Sequence, residues 1–273
     1  MESAATPKLS DYDFIAVNSS AGKDSQTALR RVVYAADDQG FPRERIIVVH
    51  ADLGEMEWPG TRELAEEQAK HYGLRFEVVK YRTKNGEEIN LLEYARRRGK
   101  WPSSTTRYCT SEFKRGPCLR VLTKLQKENG GRATRFVNVY GFRAEESPAR
   151  RKKPVWEAYA RANTATRSVW NWLPIHTMTE VEVWADIKAS GVRHHWAYDL
   201  GMPRLSCRIC IFSPHEALLL SGIHNPELLQ KYVDVEKEIG HDFQHRKPLV
   251  VLQNEVLAGK KPDRAKMNTC WGM

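Results

Sequence analysis

The stretch Asn18-Ser19-Ser20-Ala21-Gly22-Lys23-Asp24-Ser25 decides how the rest of the chain is interpreted. An apolar run, residues 13–17, precedes it, and a run with helical periodicity, residues 26–34, follows it. A strand, a short loop and a helix in this order direct backbone N–H groups and a helix N-terminus at an anion. The stretch therefore predicts a nucleotide phosphate site. The alternative is a loop that does no more than cap the helix.

Side chains of the same stretch support the phosphate prediction. The Lys23 ammonium supplies a point charge for phosphate oxygens, and the serine hydroxyls supply hydrogen-bond donors. The loop is not a Walker A loop, because Val17 stands where that pattern needs its first Gly and Asp24 follows Lys23. The loop residues predicted to bind the nucleotide cofactor are Ser19, Ser20, Ala21, Gly22 and Ser25.

Bulk composition places the chain among globular proteins. Its 273 residues, 41% hydrophobic and 28% charged, are enough for one large domain, or one domain with an appendage. No stretch approaches 18 consecutive apolar residues, so no membrane span and no membrane partner are expected. The first residues lack the pattern of a signal peptide. We expect a cytoplasmic location.

The net charge of +9 is concentrated in two clusters, residues 96–100 and 150–153. Basic clusters of this kind favour polyanions, either a nucleotide or a nucleic-acid backbone. The alternative is a solvated basic surface.

Short β-branched runs alternate with helical patterns along the first half of the chain. The runs at 45–50, 75–79 and 135–140 have the length of buried strands, and the helices between them predict a parallel sheet with right-handed crossovers. A further strand is predicted at 172–175, after an irregular, basic and mobile segment at 148–168. A capping box predicts a helix over Thr179–Ser190, and the chain beyond residue 201 is predicted to be largely helical.

Ligands of parallel sheets bind at the carboxyl ends of the strands, where two polar groups are predicted. Asp52 and Glu55 follow one strand and suit a nucleotide ribose or a magnesium ion. Arg143 follows another and suits bidentate binding of phosphate or sulfate. A plain turn is the alternative at both places.

The five cysteines are an odd number in a chain of this size and do not predict a disulfide framework. Cys207 and Cys210 have C-x-x-C spacing, and Cys109 lies upstream. Such thiolates suit zinc or an iron–sulfur cluster if the ligand set is completed from a distance. Reactive thiols and inert small residues are the alternatives.

Six ordered motifs, spread over residues 13–212, together resemble the phosphoadenosine phosphosulfate (PAPS) reductase family of PP-loop ATP pyrophosphatases. They are Ser20-Ala21-Gly22-Lys23-Asp24-Ser25, Ala51-Asp52-Leu53-Gly54-Glu55, Arg107-x-Cys109-Thr110-x-x-x-Lys114-x-x-Pro117, Gly141-x-Arg143-x-x-Glu146-Ser147-x-x-Arg150, Leu173-Pro174-Ile175-x-x-Met178-Thr179 and Tyr198-x-x-Gly201-Met202-x-Arg204-x-Ser206-Cys207-x-x-Cys210. In the first motif, Ala21 replaces the first Gly of the PP-loop.

This resemblance implies an α/β fold of the adenine-nucleotide α-hydrolase (HUP-like) class, with three layers and a helical C-terminal extension. It implies a nucleotide-binding domain at 10–200 and a cysteine-containing helical region at 201–273. Phosphates are expected on the first loop and adenosine near Asp52, with Gly54 and Gly141 as further cofactor-binding residues. Lys23, Asp24 and Arg143 are the expected catalytic residues.

The chain differs from assimilatory PAPS reductases, which typically lose the Lys-Asp pair of the loop and carry a catalytic Cys in a short C-terminal motif. Here Lys23-Asp24 is intact, and the sequence around Cys270 is not that motif. The chain is more similar to relatives that activate a substrate with ATP, such as the sulfur-transfer enzyme of DNA phosphorothioation and the reductase-like proteins of phages and type IV CRISPR loci.

The resemblance thus implies an enzyme that cleaves Mg-ATP at the α–β phosphate and transfers sulfur, with nucleic acid, a sulfur donor or an effector complex as partners in a mobile-element or defence system. Related tRNA thiolation enzymes hold a [4Fe–4S] cluster on three cysteines, a scheme that Cys109, Cys207 and Cys210 would fit. One alternative is a thiol-dependent PAPS reductase that releases sulfite. The other is a nucleotide-sensing or nucleic-acid-binding subunit without turnover.

Overall fold

The computed structural model describes residues 6–267 of the chain. Its one sheet in this range has six strands in the order β3-β2-β1-β4-β6-β5. The strands are β1 (Phe14–Ser19), β2 (Ile46–Ala51), β3 (Arg75–Val79), β4 (Thr134–Val139), β5 (Trp156–Ala158) and β6 (Arg167–Trp172). Only β5 pairs antiparallel to its neighbour, at the edge beside β6. The predicted α/β fold with a mostly parallel sheet is confirmed.

Ten α-helices are present between residues 6 and 267. They are α1 (Lys23–Asp38), α2 (Thr61–His71), α3 (Leu91–Arg98), α4 (Tyr108–Thr110), α5 (Gly116–Glu128), α6 (Pro148–Arg151), α7 (Glu180–Ser190), α8 (His215–His224), α9 (Pro226–Ile239) and α10 (Leu249–Leu257). A π-helical turn, Ser111–Arg115, joins α4 to α5. The predicted capping box of α7 is present, since Thr179 and Glu182 each bond the other's backbone. The predicted C-terminal helices are confirmed as α8 to α10.

Alternating side chains of the strands build a helical layer on each side of the sheet. Ile15 and Val17 of β1 pack in one apolar cluster with Leu29 of α1. Ala16, which points the other way, packs in a second cluster with Leu122 of α5. Period-two alternation in a sheet covered on both faces thus explains why its central strands are apolar almost throughout.

The strand order reverses between β1 and β4, and this reversal positions the site. From β1 the chain proceeds to β2 and β3 on one side, and then returns to place β4 on the other side. Val17 pairs with Val139 in the parallel register of these two strands. Open α/β sheets bind ligands in the crevice at such a switch point, beyond the carboxyl ends of the strands.

Two predictions about the second half of the sheet were wrong. The strand predicted at 172–175 lies at Arg167–Trp172, so Pro174 follows the strand instead of belonging to it. The segment predicted to be irregular, 148–168, contains the helical turn α6 and the edge strand β5. Neither strand is a continuous apolar run, because β5 contains Glu157 and β6 contains Asn171 between two tryptophans.

The chain folds into two compact units that do not divide it at one point. The first contains residues 6–51, 60–79 and 116–195, including the whole sheet, and the second contains 52–59, 80–115 and 196–267. A separate apolar cluster around Trp101, Tyr232 and Phe243 forms the core of the second unit. The expected division into domains at 10–200 and 201–273 stays a prediction. None of the helices between residues 6 and 267 combines the length and hydropathy that a bilayer crossing requires.

Candidate functional site

The loop after β1 is held in shape by its own serines. The Ser25 hydroxyl accepts a hydrogen bond from the Ser20 N–H (3.2 Å) and donates one to the Gly22 carbonyl (2.9 Å). The Ser19 hydroxyl accepts from the Ala21 N–H at 3.2 Å. These two hydroxyls thus close the loop, and their predicted contacts with phosphate stay predictions.

Ala21 has φ of +57° and is fully buried. This left-handed conformation is the one that glycine adopts at little cost and that alanine adopts only with strain. The loop therefore keeps the backbone shape expected of a Gly at this position, although the side chain has changed.

Lys23 is the first residue of α1 and is almost completely buried, with 2% of its side chain exposed. Its Nζ lies 3.4 Å from Oε1 of Glu180 and 3.8 Å from Oδ2 of Asp24. A buried ammonium needs anionic partners, because burial without them would strongly penalise its charge. Lys23 thus places a fixed positive charge at a helix N-terminus that already favours anions.

Arg143 brings a second cation to the same loop. Its Nε donates a hydrogen bond to Oδ1 of Asp24 at 2.5 Å, and its Nη1 donates to Glu145. Burial lowers the pKa of Arg143, but Asp24 and Glu145 more than offset that effect, and its pKa lies above the ordinary value. The three predicted catalytic residues, Lys23, Asp24 and Arg143, are therefore in direct contact with one another or share a partner.

Gly141 explains how the loop after β4 comes so close to α1. A Cβ built on Gly141 would lie 2.5 Å from the carbonyl oxygen of Asp24 and 2.9 Å from the N–H nitrogen of Ser25. Backbone atoms at that distance cannot yield as a flexible side chain can. The absent side chain thus permits the contact between the two loops.

Two acidic residues at this site were not predicted. Glu145 lies in the loop after β4, and Glu180 begins α7. The Glu180 N–H donates to Oε1 of Glu145 at 2.7 Å, so the two side chains lie side by side against the buried cations. One feature of the sequence could have indicated Glu180, because an acidic residue in the first turn after a predicted N-cap marks a helix N-terminus. No feature of the sequence indicates that Glu145 lies at the site.

Arg150 also lies at this edge of the sheet. Its guanidinium carbon is 4.3 Å from the centre of the Phe142 ring, which stacks on Tyr140 at 5.1 Å, and it pairs with Glu146. Burial lowers the pKa of Arg150, Asp24 partly offsets this, and Arg143 adds to the lowering. Arg150 therefore interacts electrostatically with both Asp24 and Arg143, and it adds a third positive charge near Asp24.

Asp52 and Gly54 belong to the second unit and form a tight turn after β2. Oδ1 of Asp52 accepts the Gly54 N–H at 2.7 Å, Oδ2 lies 3.4 Å from Nζ of Lys80, and Gly54 has φ of +59°. Glu55 pairs with Lys231 at 2.5 Å. The carboxylate of Asp52 thus has the geometry of the turn residue that was the alternative, and its role toward ribose or magnesium stays a prediction.

Cys109, Cys207 and Cys210 are half-buried free thiols in the second unit. Burial raises the pKa of Cys207 to about 11, and it raises the pKa of the other two thiols as well. Electrostatic attraction to Cys207 in turn raises the pKa of Lys114, with smaller effects of Glu57 and the other two cysteines. Lys114 therefore interacts electrostatically with all three cysteines; the motif contained this lysine, but the sequence analysis did not single it out.

These residues do not fit a metal centre as they are placed. Between residues 6 and 267, no three Cys, His, Asp or Glu side chains are arranged to hold a metal ion. Their assignment to a [4Fe–4S] cluster stays a prediction, and Cys270 lies outside the described residues.

The two basic clusters differ in their surroundings. In the first, Arg96 pairs with Glu238 at 2.8 Å and Arg97 pairs with Glu87, also at 2.8 Å, so acidic neighbours neutralise much of its charge. In the second, Arg150 turns toward Glu146, whereas residues 151–153 are exposed. Part of the positive charge of both clusters is thus paired within the chain, and their binding to a polyanion stays a prediction.

Comparison with known proteins gives one family and several distant relatives. A model described as the phosphoadenosine phosphosulfate reductase domain matches residues 14–213. An uncharacterized protein of Methanocaldococcus jannaschii is 28% identical over 223 residues, which are 82% of this chain and 47% of that protein. An uncharacterized 37.8 kDa protein of Escherichia phage 186 is 30% identical over 149 residues, 54% of this chain and 42% of that protein.

The chain thus spans less than half the length of these two relatives. Among solved structures, PAPS reductase from Candida auris in complex with phosphate is similar, with 17% identity and a TM-score of 0.44. The matched region is 73% of this chain and 83% of the reductase.

Proposed function

The chain belongs to the phosphoadenosine phosphosulfate reductase domain family, and from that premise we propose that it cleaves ATP between the α- and β-phosphates to activate a second substrate. The observation that carries this proposal is the position of Lys23, a buried ammonium at the start of α1 with Arg143 tied to the adjacent Asp24. Cations fixed in advance, where negative charge develops, stabilise a leaving pyrophosphate without reorganising.

In the proposed reaction, an oxygen of the second substrate attacks the α-phosphorus of Mg-ATP. The bond from that phosphorus to the bridging oxygen breaks, the adenylyl group stays on the substrate, and pyrophosphate leaves with the electron pair. Lys23 and Arg143 neutralise the charge on the departing oxygens, while Asp24 orients Arg143 through its hydrogen bond. Adenosine is proposed to lie near Asp52 and Gly54.

We propose further that sulfur from a donor displaces the adenylate, with nucleic acid as the acceptor. The three thiols of the second unit, the net charge of +9 and the phage-encoded relative support this choice. The fold family contains members with an iron–sulfur cluster, which would supply a site for activated sulfur. No step is assigned to a cluster here, because the cysteines as placed do not fit one.

The left-handed conformation of Ala21 is relevant to the alternative function, a nucleotide-sensing or nucleic-acid-binding subunit without turnover. Replacement of the first PP-loop Gly was one support for a nucleotide-sensing subunit. Because Ala21 keeps the conformation that Gly would have, the replacement leaves the loop shape intact and weakens that support.

The test compares two nucleotides on the purified chain. With Mg-ATP and candidate acceptors, including single-stranded and double-stranded DNA and transfer RNA, we expect release of AMP or adenylated product together with pyrophosphate. Lys23→Met should abolish this release, and Arg45→Gln, at an exposed arginine of the same unit outside both basic clusters, should not change it.

Sulfite release from PAPS with a thiol reductant, without turnover of ATP, would instead establish the reductase alternative. Tight binding of ATP without turnover, with every acceptor tried, would favour the nucleotide-sensing subunit.

A further inference from the structure

The buried cations of the site are already bound to carboxylates of the chain. Nζ of Lys23 lies 3.4 Å from Oε1 of Glu180, and Arg143 donates to Oε1 of Glu145. The backbone N–H of Glu180 donates to that same oxygen of Glu145 at 2.7 Å. Two acidic side chains thus already bind donors of both cations.

The cations and their carboxylates differ sharply in exposure. The side chains of Lys23 and Arg143 are 2% and 3% exposed, whereas those of Glu180 and Glu145 are 46% and 41% exposed. The cations are therefore fixed by their surroundings. The carboxylates lie at the solvent side, where each can move into water at little cost in hydration.

Carboxylate and phosphate oxygens accept hydrogen bonds from the same ammonium and guanidinium donors. A polyphosphate that took the donors of Arg143 and Lys23 now directed at Glu145 and Glu180 would have to displace both carboxylates. Without a further anion, Asp24 alone would have to balance the charges of both buried cations, which is costly in so buried a position. Glu145 and Glu180 supply such further anions.

We propose that Glu145 and Glu180 are tethered competitors of the nucleotide phosphates: both must leave Arg143 and Lys23 for a polyphosphate to bind, and both return to expel pyrophosphate. This inference rests on the proposed function, because it names the residues that set affinity and product release at the same site. Neither residue is among the predicted site residues.

A purely structural role for the two carboxylates makes the opposite prediction. If they served only to hold the loop after β4 and the start of α7 in position, neutralising them would disorder the cations and weaken anion binding. If they compete with the ligand, neutralising them strengthens binding. The sign of the change in affinity therefore separates the two roles.

The experiment measures binding of pyrophosphate and of orthophosphate to the full chain by titration calorimetry. Glu145→Gln and Glu180→Gln keep the size of each side chain, and each is expected to tighten pyrophosphate binding roughly 3- to 10-fold, the range expected for one partly exposed charge pair. The double variant should show about the product of the two gains for pyrophosphate. For orthophosphate, which displaces one carboxylate, the double variant should gain only about as much as a single variant.

Glu44→Gln is the matched control, because it removes an equal charge from an exposed position of the same unit. We expect Glu44→Gln to leave the affinities for pyrophosphate and for orthophosphate unchanged. That result would exclude an effect of net charge alone. Melting curves of all variants verify that they fold. In stopped-flow displacement, pyrophosphate should dissociate more slowly from the two single variants than from the unchanged chain.

The outcomes separate this inference from the proposed function. Unchanged or weaker pyrophosphate binding in the two variants, in a chain that still cleaves ATP, would overturn the inference alone. The expected gains in a chain that never turns over ATP would support the competition and contradict the proposed reaction. Gains of equal size in Glu44→Gln would also overturn the inference.

Discussion

Oδ1 of Asp24 accepts a 2.5 Å hydrogen bond from Nε of Arg143, although the two residues are 119 positions apart in the sequence. Asp24 lies in the first turn of α1 and Arg143 lies in the loop after β4. The bond therefore joins the two loops on either side of the point where the strand order reverses. A change at either residue should affect how the site holds an anion.

Arg143→Lys should lower kcat/KM for ATP about 10- to 100-fold, provided that ATP cleavage is the activity. A lysine keeps the positive charge but has one compact head group, which cannot bond Asp24 and a phosphate with the forked geometry of a guanidinium. Pyrophosphate release under steady-state conditions measures the change. The exposed Arg151→Lys serves as the control, and an equal loss there would contradict a specific role for Arg143.

Gly141→Ala should lower the free energy of unfolding by about 2–3 kcal/mol, because the new Cβ would lie 2.5 Å from the backbone oxygen of Asp24. Urea denaturation measures this loss. Gly40→Ala is the matched control: its φ is +63°, but no atom lies within 4 Å of the built Cβ, so only the backbone strain of about 1 kcal/mol is expected. Equal losses in the two variants would show that Gly141 is not sterically required.

Ala21→Gly should leave the free energy of unfolding within about 1 kcal/mol of its present value. Glycine relieves the strain of a left-handed alanine, and the greater freedom of the unfolded chain offsets that gain. Ala21→Val should lose at least about 2 kcal/mol, because a β-branched residue is poorly tolerated at positive φ and the site is fully buried. Urea denaturation of both variants provides the comparison.

The Ala21→Gly variant also tests whether the loop has a catalytically active shape. If the loop already has the active shape, ATP turnover by Ala21→Gly should at least equal that of the unchanged chain. If only Ala21→Gly turned over ATP and the unchanged chain did not, the result would instead support a nucleotide-sensing subunit without turnover.

The sequence was sufficient for the parts of the fold that depend on local pattern. The strand, loop and helix around Ser19–Ser25, the parallel core strands and the capping box of α7 all follow from residues close together in the chain. The switch-point site followed from the same pattern, since it requires only that polar loops follow buried parallel strands.

What could not be predicted depends on residues far apart in sequence. Glu145 lies at the candidate site because α7 begins beside it, where the Glu180 N–H donates to its carboxylate. No local sequence pattern predicts that contact. In the antiparallel pair of β5 and β6, Trp156 faces Trp172 and Glu157 faces Asn171, so neither strand has the continuous apolar sequence of a buried strand. The second unit gathers three separate segments, which sequence continuity cannot reveal.

Glu236→Gln should lower the free energy of unfolding by about 1–3 kcal/mol, the cost of a buried group left unsatisfied. Glu236 is 6% exposed, and its two carboxylate oxygens accept the N–H groups of Phe243 and Leu249, each at 2.6 Å. Glutamine has only one oxygen, so its amide group would face one of these N–H donors. Chemical denaturation at neutral pH measures the loss. The exposed Glu238→Gln, whose carboxylate pairs with Arg96, should change stability by less than about 1 kcal/mol.

The effect of Glu236 on stability should depend on pH. Burial holds the pKa of Glu236 above its ordinary 4.5, and the two backbone N–H groups offset only part of that rise. The folded chain therefore binds this proton more tightly than the unfolded chain, so the resulting stabilisation is present below pH 4.5 and is lost as pH rises through the folded-state pKa. The difference in unfolding free energy between the unchanged chain and Glu236→Gln should thus shrink from acidic to neutral pH. A difference that grows over the same range would show that the two backbone hydrogen bonds outweigh burial in setting the protonation of Glu236.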